Sequence, residues 1–264
     1  MEILIPIIIV GVIGVVAGAG LSIASIVMAV PVDEKAEAIR EVLPGANCGA
    51  CGYSGCDGYA SALSSGQEQK TSLCAPGGSD TAHAVAEILG VTADTVVRQV
   101  AAVHCRGTKD NTSDKMEYHG ASSCLAATQL FAGKGSCSYG CIGLGDCVQA
   151  CEFGAIQVCG GVAVVNKELC TACTRCLDVC PKGLIHLVPA EEGAVVRCSN
   201  HDKGGQTRKD CTVGCIGCMR CVKVCEFDAI HVENFLAKVD SEKCTSCGKC
   251  VAECPQHCIT LFHS

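Results

Sequence analysis

The sequence predicts an α+β protein with one N-terminal transmembrane helix, a small, mostly helical domain and two tandem copies of a compact cysteine-rich module. Three observations lead to this prediction. Residues 3–32 contain no charged side chain, and 26 of the 264 residues are cysteine. Cysteines of the C-terminal half recur at a constant offset of 74 positions, which indicates an internal duplication.

The uncharged N-terminal stretch predicts a permanent membrane anchor. At ~1.5 Å per residue, a helix over this stretch would be about 45 Å long, which exceeds the ~30 Å core of a bilayer. A cleavable signal peptide has a basic start and a shorter apolar run, whereas Glu2 stands in front here. Because Lys35 and Arg40 follow the stretch, we expect a single-pass protein of the cell (inner) membrane whose bulk lies on the cytoplasmic side.

The cysteine content indicates metal clusters rather than disulfide bonds. Disulfides are rare in a reducing cytoplasm, where cysteines at fixed spacings are typically metal ligands. The chain has no tryptophan and only nine phenylalanines and tyrosines (five and four), so small modules held together by clusters fit better than one large apolar core. The formal net charge of -7 argues against a nucleic-acid partner, because phosphate binding needs a basic face.

The repeated unit contains the ligand run of bacterial ferredoxins. The pattern C-x2-C-x2-C-x3-C-P occupies residues 170–181 and again residues 244–255. In such a run three thiolates hold one [4Fe–4S] cube and the fourth reaches a second cube. Zinc sites use two separated pairs instead. We therefore predict two tandem bacterial-type 2[4Fe–4S] ferredoxin-like modules.

An upstream run in each module supplies the remaining ligands of its pair of cubes. This run is regular in the second module, whereas Leu144 of the first module stands where Cys218 stands in the second. We expect Cys137 to substitute for the missing ligand. The predicted sets are Cys137, Cys141, Cys147 and Cys180; Cys151, Cys170, Cys173 and Cys176; Cys215, Cys218, Cys221 and Cys254; and Cys225, Cys244, Cys247 and Cys250.

A fifth set lies close to the predicted anchor, where zinc is the alternative occupant. Its spacing is C-x2-C-x4-C with one more cysteine seventeen residues later, and glycines between the ligands let the backbone approach a cluster closely. The members are Cys48, Cys51, Cys56 and Cys74. Five [4Fe–4S] clusters are therefore expected.

Six cysteines lie outside these sets. Four of them flank the two modules and could hold a sixth cluster, although buried apolar thiols would explain them too. These four are Cys105, Cys124, Cys198 and Cys211. We interpret Cys159 and Cys258 as packing residues.

The domain boundaries follow from these motifs. The short charged stretch at residues 33–41 is predicted to be helical, and apolar spacing predicts one or two helices within residues 81–103. Two β-rich stretches, VAVV and LAKV, lie inside the repeats. The predicted units are residues 1–32, the transmembrane anchor; 33–92, a [4Fe–4S] domain; 93–123, a helical and polar linker; 124–190, the first dicluster module; and 191–264, the second dicluster module.

The chain offers no catalytic residue set of its own. Five histidines fall without ligand spacing, and the glycines at residues 140–145 suit a cluster loop better than a nucleotide fingerprint. Electron transfer between fixed clusters is the chemistry that remains. The alternatives are the electron-transfer polyferredoxin subunit of a membrane hydrogenase or related reductase, and a redox-sensing iron–sulfur protein.

The combination of motifs resembles the B subunits of the Rnf electron-transport complex over essentially the whole chain. The resemblance is carried by the uncharged start, by NCGACGYSGC at residues 47–56 and by CSYGCIGLGDCVQAC at residues 137–151. It implies a subunit of a membrane-bound, ion-translocating ferredoxin:NAD+ oxidoreductase that receives electrons from reduced ferredoxin. It also implies that flavin- and NAD-binding subunits and integral membrane subunits are partners, and that no substrate is converted in this chain alone.

Overall fold

The computed structural model describes residues 4–27, 33–191 and 193–262. The described part contains ten helices and eight short strands. In chain order these are α1 Leu4–Val27, α2 Glu34–Val42, α3 Cys56–Ser64, α4 Gly78–Leu89, β1 Gln99–Val103, α5 Cys124–Thr128, α6 Asp146–Gln149, β2 Ile156–Cys159, β3 Val162–Val165, α7 Arg175–Asp178, β4 Ile185–Pro189, β5 Ala194–Val196, α8 Gly204–Asp210, α9 Arg220–Lys223, β6 Ile230–Glu233, β7 Leu236–Val239, α10 Lys249–Ala252 and β8 Ile259–Leu261.

Helix α1 occupies most of the predicted anchor. Its side chains are described at residues 9–25, where all of them are exposed. No helix among the described residues is both long and apolar enough to cross a bilayer. The rest of the predicted anchor, residues 1–3 and 28–32, lies outside the described residues.

Three helices form the small N-terminal domain. The carboxylate of Asp33 caps α2 by accepting from the backbone N–H groups of residues 35 and 36, which stabilises a helix start. Helices α2, α3 and α4 pack around Ile39, Tyr59 and Val85, each of which is at most 1% exposed. The helix predicted at residues 33–41 is thereby confirmed.

The apolar stretch at residues 81–103 is only partly helical. It contains the greater part of α4, but strand β1 follows, and it pairs antiparallel with β4 so that Val103 lies opposite Ile185. The prediction of helix was therefore wrong for residues 99–103. Four consecutive buried residues, 100–103, fit a fully covered strand, and a short apolar run cannot be told from a helix segment by periodicity.

Each module contains one β-hairpin and one pair of strands from more distant parts of the chain. The hairpins are β2–β3 and β6–β7, and the β-rich stretches predicted inside the repeats form their second strands. The distant pairs are β1–β4 in the first module and β5–β8 in the second. The α+β prediction is therefore confirmed for the repeated part of the chain.

The segment predicted as a linker contacts both modules. Its strand β1 belongs to the first module, and its later residues reach the second. Thr112 and Cys211 form an isolated antiparallel bridge, and the Arg106 guanidinium donates to the backbone carbonyl of His257 at 2.6 Å. Arg197 Nε donates to the Val103 carbonyl, also at 2.6 Å. This segment therefore ties the two modules together.

Candidate cluster sites

The cysteines supply free thiols at several cavities of the fold. All 26 are free, with no disulfide among them in the described residues. Within the described part of the chain, no three Cys, His, Asp or Glu side chains lie close enough to hold a single metal ion. A tetrahedral zinc with Zn–S of ~2.3 Å would require sulfurs about 3.8 Å apart. Four of the sets described below instead line cavities.

The four cysteines predicted near the anchor lie together. Burial raises the pKa of the Cys74 thiol to about 11, and the thiols of Cys56, Cys51 and Cys48 raise it further by charge repulsion. The loop is held by Asn47, whose side-chain oxygen accepts from the backbone N–H of Cys56 at 2.9 Å. This N–H lies at the first turn of α3, so the side chain also anchors the helix start.

The second module brings together both of its predicted sets. One cavity is lined by Cys225, Cys244, Cys247 and Cys250. Another is lined by Cys215, Cys218, Cys221 and Cys254. The structure adds Cys258 to the lining of the second cavity, although the sequence indicated a packing residue there.

One set of the first module also assembles as expected. Burial raises the pKa of the Cys176 thiol to about 12, and the neighbouring thiols add to that rise, in the order Cys170, Cys173, Cys147 of the other set, and Cys151. The backbone N–H of Ala101, in β1, donates to Cys170 Sγ at 3.3 Å. The strand that sequence analysis placed in a linker therefore supplies a hydrogen bond to this site.

The other set of the first module differs from the expectation. Its cavity is lined by Cys124, Cys141, Cys147 and Cys180, so Cys124 occupies the place predicted for Cys137. Burial raises the pKa of the Cys147 thiol to about 11, with contributions from the thiols of Cys141, Cys124 and Cys180. Both cavity lining and charge contacts thus point to the same four thiols.

The carboxylate of Asp146 explains why Cys124 lies at this cavity. It accepts from the backbone N–H groups of Cys124 at 2.8 Å and Leu125 at 3.1 Å, and from Ser123 Oγ at 2.9 Å. Burial alone would raise the pKa of Asp146, but these hydrogen bonds outweigh it and the pKa lies below its ordinary value. At the position 74 residues later, the second module has Arg220, which cannot accept. This pair of residues was the signal available in the sequence.

Cys137 lies instead at a cavity between the two modules. Five cysteines line this cavity: Cys105, Cys137, Cys198 and Cys211, together with Cys141, which also lines the first-module cavity. A Cβ added at Gly107 would lie 3.6 Å from Cys105 Sγ and 3.7 Å from Cys211 Sγ, which places those two sulfurs on the same side of the loop. Relative to the predicted sixth set, Cys137 has exchanged places with Cys124.

Backbone and side-chain N–H groups converge on the sulfurs of this interface site. Cys198 Sγ accepts from the backbone N–H of Asn200 at 3.4 Å and from that of Cys215 at 3.2 Å. Cys105 Sγ accepts from two further backbone N–H groups, both at 3.4 Å. The side-chain amide of Asn200, a residue only 1% exposed, donates to Cys137 Sγ at 3.4 Å. Such donors favour a charged thiolate over a neutral thiol.

A histidine pair lies beside the interface site, with His104 partly buried and His186 exposed. The rings of His104 and His186 meet edge to face, with centroids 4.9 Å apart. Burial lowers the pKa of His104 to about 4, and the charges of His186 and Arg197 lower it further. His104 is therefore neutral at pH 7, and its Nε2 has no hydrogen-bond partner among the described residues.

Each of the four cysteine runs contains one short helix, and that helix carries one of the cysteines of the run. A tight turn precedes each of these helices. The residue before each helix has a positive φ: Gly145 at 89°, Thr174 at 65°, Met219 at 58° and Gly248 at 74°. Only two of these are glycine, the residue for which this backbone region carries no steric cost. The turn itself is therefore strained in both modules, which is common where a loop wraps a binding site.

Three models of iron–sulfur domain families match the chain. A family described as "Putative Fe-S cluster" matches residues 43–76. A "4Fe-4S binding domain" matches residues 163–186, and a "4Fe-4S dicluster domain" matches residues 214–259. These matches confirm that the chain has iron–sulfur domains and that residues 163–186 and 214–259 match [4Fe–4S]-binding families.

Curated relatives cover nearly the whole chain. The B subunit of the Na(+)-translocating ferredoxin:NAD(+) oxidoreductase complex of Acetobacterium woodii is 44% identical over 259 residues, which is 98% of this chain and 78% of the relative. The chain belongs to the family of Rnf complex B subunits. Another member, the B subunit of the ion-translocating oxidoreductase complex of Methanosarcina acetivorans, is 40% identical over 94% of both chains. The B subunit of the proton-translocating ferredoxin:NAD(+) oxidoreductase complex of Clostridium ljungdahlii is 36% identical over 96% of this chain and 90% of its own. The resemblance seen in the motifs is confirmed.

Proposed function

We propose that this chain is the iron–sulfur electron-transfer subunit of an Rnf-type ferredoxin:NAD+ oxidoreductase. It accepts electrons from reduced ferredoxin and passes them through [4Fe–4S] clusters to membrane partner subunits, as part of an ion-translocating complex. The observation that carries the proposal is the gathering of cysteines in fours at successive sites. The names of the relatives supply the reaction and the partners.

Residues of this chain would bind the clusters and affect the charge of each cluster site. A [4Fe–4S] cube with four thiolates supplies one-electron chemistry that needs no proton and no bound substrate. The thiols must lose their protons when they bind iron, because the thiolate is the ligand. Backbone N–H groups then donate to the sulfurs, as at Cys151, Cys180 and Cys225, each of which accepts from the residue four positions later. Those donors stabilise the added negative charge of the reduced state.

The membrane attachment of the chain is part of the same proposal. Support comes from residues 3–32, which carry no charge, and from Lys35 and Arg40 behind them. A single-pass anchor with the cluster domains on the cytoplasmic side follows. Expression with and without residues 1–32 tests it: the full chain is expected in the membrane fraction and the truncated chain in the supernatant. If the truncated chain still sediments with the membranes because it binds the lipid directly, the anchor is contradicted.

Anaerobic purification with counts of iron and sulfide tests the cluster content. About 20 irons per chain support five clusters and about 24 support six, and zinc in their place would refute the proposal. Reduction by stoichiometric reduced ferredoxin, followed by EPR, tests the electron donor. Purification of the tagged full chain from its native membrane then identifies the partner subunits, and hydrogenase subunits in place of flavin- and NAD-binding ones would refute the Rnf assignment.

The revised ligand sets belong to the proposal as well. We assign Cys124, Cys141, Cys147 and Cys180 to one cube and propose that the interface thiols Cys105, Cys137, Cys198 and Cys211 hold a sixth. The other four sets are those predicted from the spacing. The support is the cavity that each set lines and the convergence of N–H donors on the interface sulfurs.

Paired alanine variants distinguish this assignment from the one predicted by spacing alone. Two alanine substitutions among the ligands of one cube remove only that cube, whereas two substitutions among the ligands of different cubes remove both cubes. Cys124→Ala with Cys147→Ala is therefore expected to lose about four irons, and Cys137→Ala with Cys147→Ala about eight. The spacing-based assignment instead predicts a loss of only about four irons from Cys137→Ala with Cys147→Ala, because both thiols would then belong to one cube. Cys159→Ala, an exposed cysteine at the end of β2, is the control and is expected to keep all the iron.

A further inference from the structure

The two modules differ at one buried position beside equivalent cubes. The first module has Leu184 and the second has Cys258, 74 residues later. Both residues are 2% exposed, so each is enclosed by protein. In the first module the neighbouring thiol is Cys180, and in the second it is Cys254. The two modules thus differ at this repeat position, where one has an apolar side chain and the other has a thiol.

The thiol at this position lies against a proposed cluster ligand. Cys258 Sγ is 3.6 Å from Cys254 Sγ, and it lines the cavity whose other sulfurs are Cys215, Cys218 and Cys221. In the first module, Leu184 offers only its backbone N–H, which donates to Cys180 Sγ at 3.4 Å. A thiol can add a second, side-chain donor at this point, and leucine cannot.

We propose that Cys258 is not a ligand but a hydrogen-bond donor that raises the reduction potential of the cube held by Cys215, Cys218, Cys221 and Cys254. This inference rests on the proposed function, since it concerns a cluster of the same relay. Reduction adds one electron to the site, no covalent bond forms or breaks, and the proton stays on Cys258. The reduced site carries one more negative charge, so a donor at its ligand sulfur stabilises the reduced state more than the oxidised one.

This residue adds to the potential difference between the two modules. The equivalent cube of the first module lacks the thiol donor, so the donor shifts an added electron toward the second module. The four-ligand count supports a donor rather than a ligand, because the regular run and Cys254 already complete the set.

The test exchanges the two side chains in the purified, cluster-loaded full chain. Cys258→Leu copies the first module, and Leu184→Cys copies the second. Dithionite titrations followed by EPR measure the midpoint of each one-electron step. Cys258→Leu is expected to make one midpoint more negative by at least a tenfold change in the reduction equilibrium, which is about 59 mV for one electron. Leu184→Cys is expected to move a different midpoint in the positive direction.

Two further variants keep the result interpretable if leucine packs poorly at this position. Cys258→Ala removes the donor without added volume and is expected to lower the same midpoint. Cys258→Ser retains a donor and is expected to leave that midpoint closer to the parent value than alanine does. Cys159→Ala, whose side chain is exposed, should move no midpoint.

Two outcomes would overturn the inference. Loss of about four irons in Cys258→Ala would make Cys258 a ligand, and unchanged midpoints in both Cys258→Leu and Cys258→Ala would show that it donates nothing to the cube. Neither outcome affects the proposed function, which fails only if the parent chain lacks iron–sulfur clusters or is not reduced by ferredoxin.

Discussion

Asp146→Ala should loosen one cluster of the first module and leave the others as they are. The carboxylate accepts three hydrogen bonds, at 2.8, 2.9 and 3.1 Å, that hold the start of helix α5 and with it Cys124. A hydrogen bond to a charged group contributes about 1.5–3 kcal/mol and a helix cap about 1 kcal/mol. Because the three bonds act together and water replaces part of the loss, we expect about 2–3 kcal/mol for local opening.

This magnitude converts into a rate of iron loss. With about 1.4 kcal/mol per factor of ten, the opened state of this site becomes roughly 30- to 150-fold more populated. Anaerobic incubation with an iron chelator is therefore expected to show a fast phase of about four irons that the parent protein lacks. Asp146→Asn, which keeps an acceptor, should fall between the two proteins.

The repeat supplies the control for this experiment. Arg220→Ala changes an exposed residue at the equivalent position of the second module and should release iron as slowly as the parent. Two results would refute the reasoning: Asp146→Ala without a fast phase, or an equal fast phase in Arg220→Ala. A fast phase that survives in Asp146→Ala after Cys124 and Cys147 are both replaced by alanine would also refute it, because the iron would then come from another site.

Three further substitutions test the buried polar groups. Asn200→Leu removes the side-chain donor to Cys137 Sγ and should alter the EPR signal or midpoint of the interface cluster alone, whereas an unchanged spectrum would count against that cluster. Tyr59→Phe strands the carbonyl of residue 70, which accepts from the hydroxyl at 2.7 Å, and should lower stability by about 1–2 kcal/mol in thermal unfolding, with no change in iron content. The pKa of His104 is about 4 in the folded chain and about 6.5 in the unfolded chain, so stability should fall as the pH drops from about 6.5 to about 4. His104→Leu should therefore reduce the dependence of the melting temperature on pH between about pH 7 and pH 5. An unchanged dependence in this variant would contradict the account.

Sequence spacing predicted the cysteine sets in which three ligands come from one continuous run. Such a run carries its own geometry: three thiolates on one tight loop must face the same point, whatever the rest of the chain does. The set at residues 225–250 and the set around Cys74 are of this kind, each with a fourth ligand from elsewhere in the chain, and their members lie together. The charged stretch at residues 33–41 predicted helix α2, whose cap is likewise local.

Spacing could not decide between Cys124 and Cys137, because the choice depends on contacts across the fold. Cys137 is closer in sequence to Cys141, which favoured it as the substitute ligand. The hydrogen bonds from the start of α5 to Asp146 instead bring the more distant thiol to the cavity. Strand β1 was missed for a similar reason, since its pairing with β4 sets Val103 opposite Ile185, a residue far along the chain.

In the proposed ligand sets, two repeat-equivalent thiols are left for the interface site. Cys137 and Cys211 are repeat equivalents that meet at one cavity, and neither is needed by the proposed cubes of its own module. In the second module, Cys218 fills the proposed set without Cys211. In the first module, Cys124 lines the cavity and Leu144 has no thiol, which leaves Cys137 for the interface.

A thiol introduced at residue 144 should therefore make Cys124 dispensable as a ligand. Cys124→Ala alone is expected to lose up to about four irons, and adding Leu144→Cys should return them, because the new thiol stands where Cys218 stands in the second module. Cys137→Ala should gain nothing from Leu144→Cys, since its cube lies between the modules. If Leu144→Cys rescued Cys137→Ala and not Cys124→Ala, the ligand sets would be those that spacing predicts, and the thiols at the interface cavity would have to be reassigned.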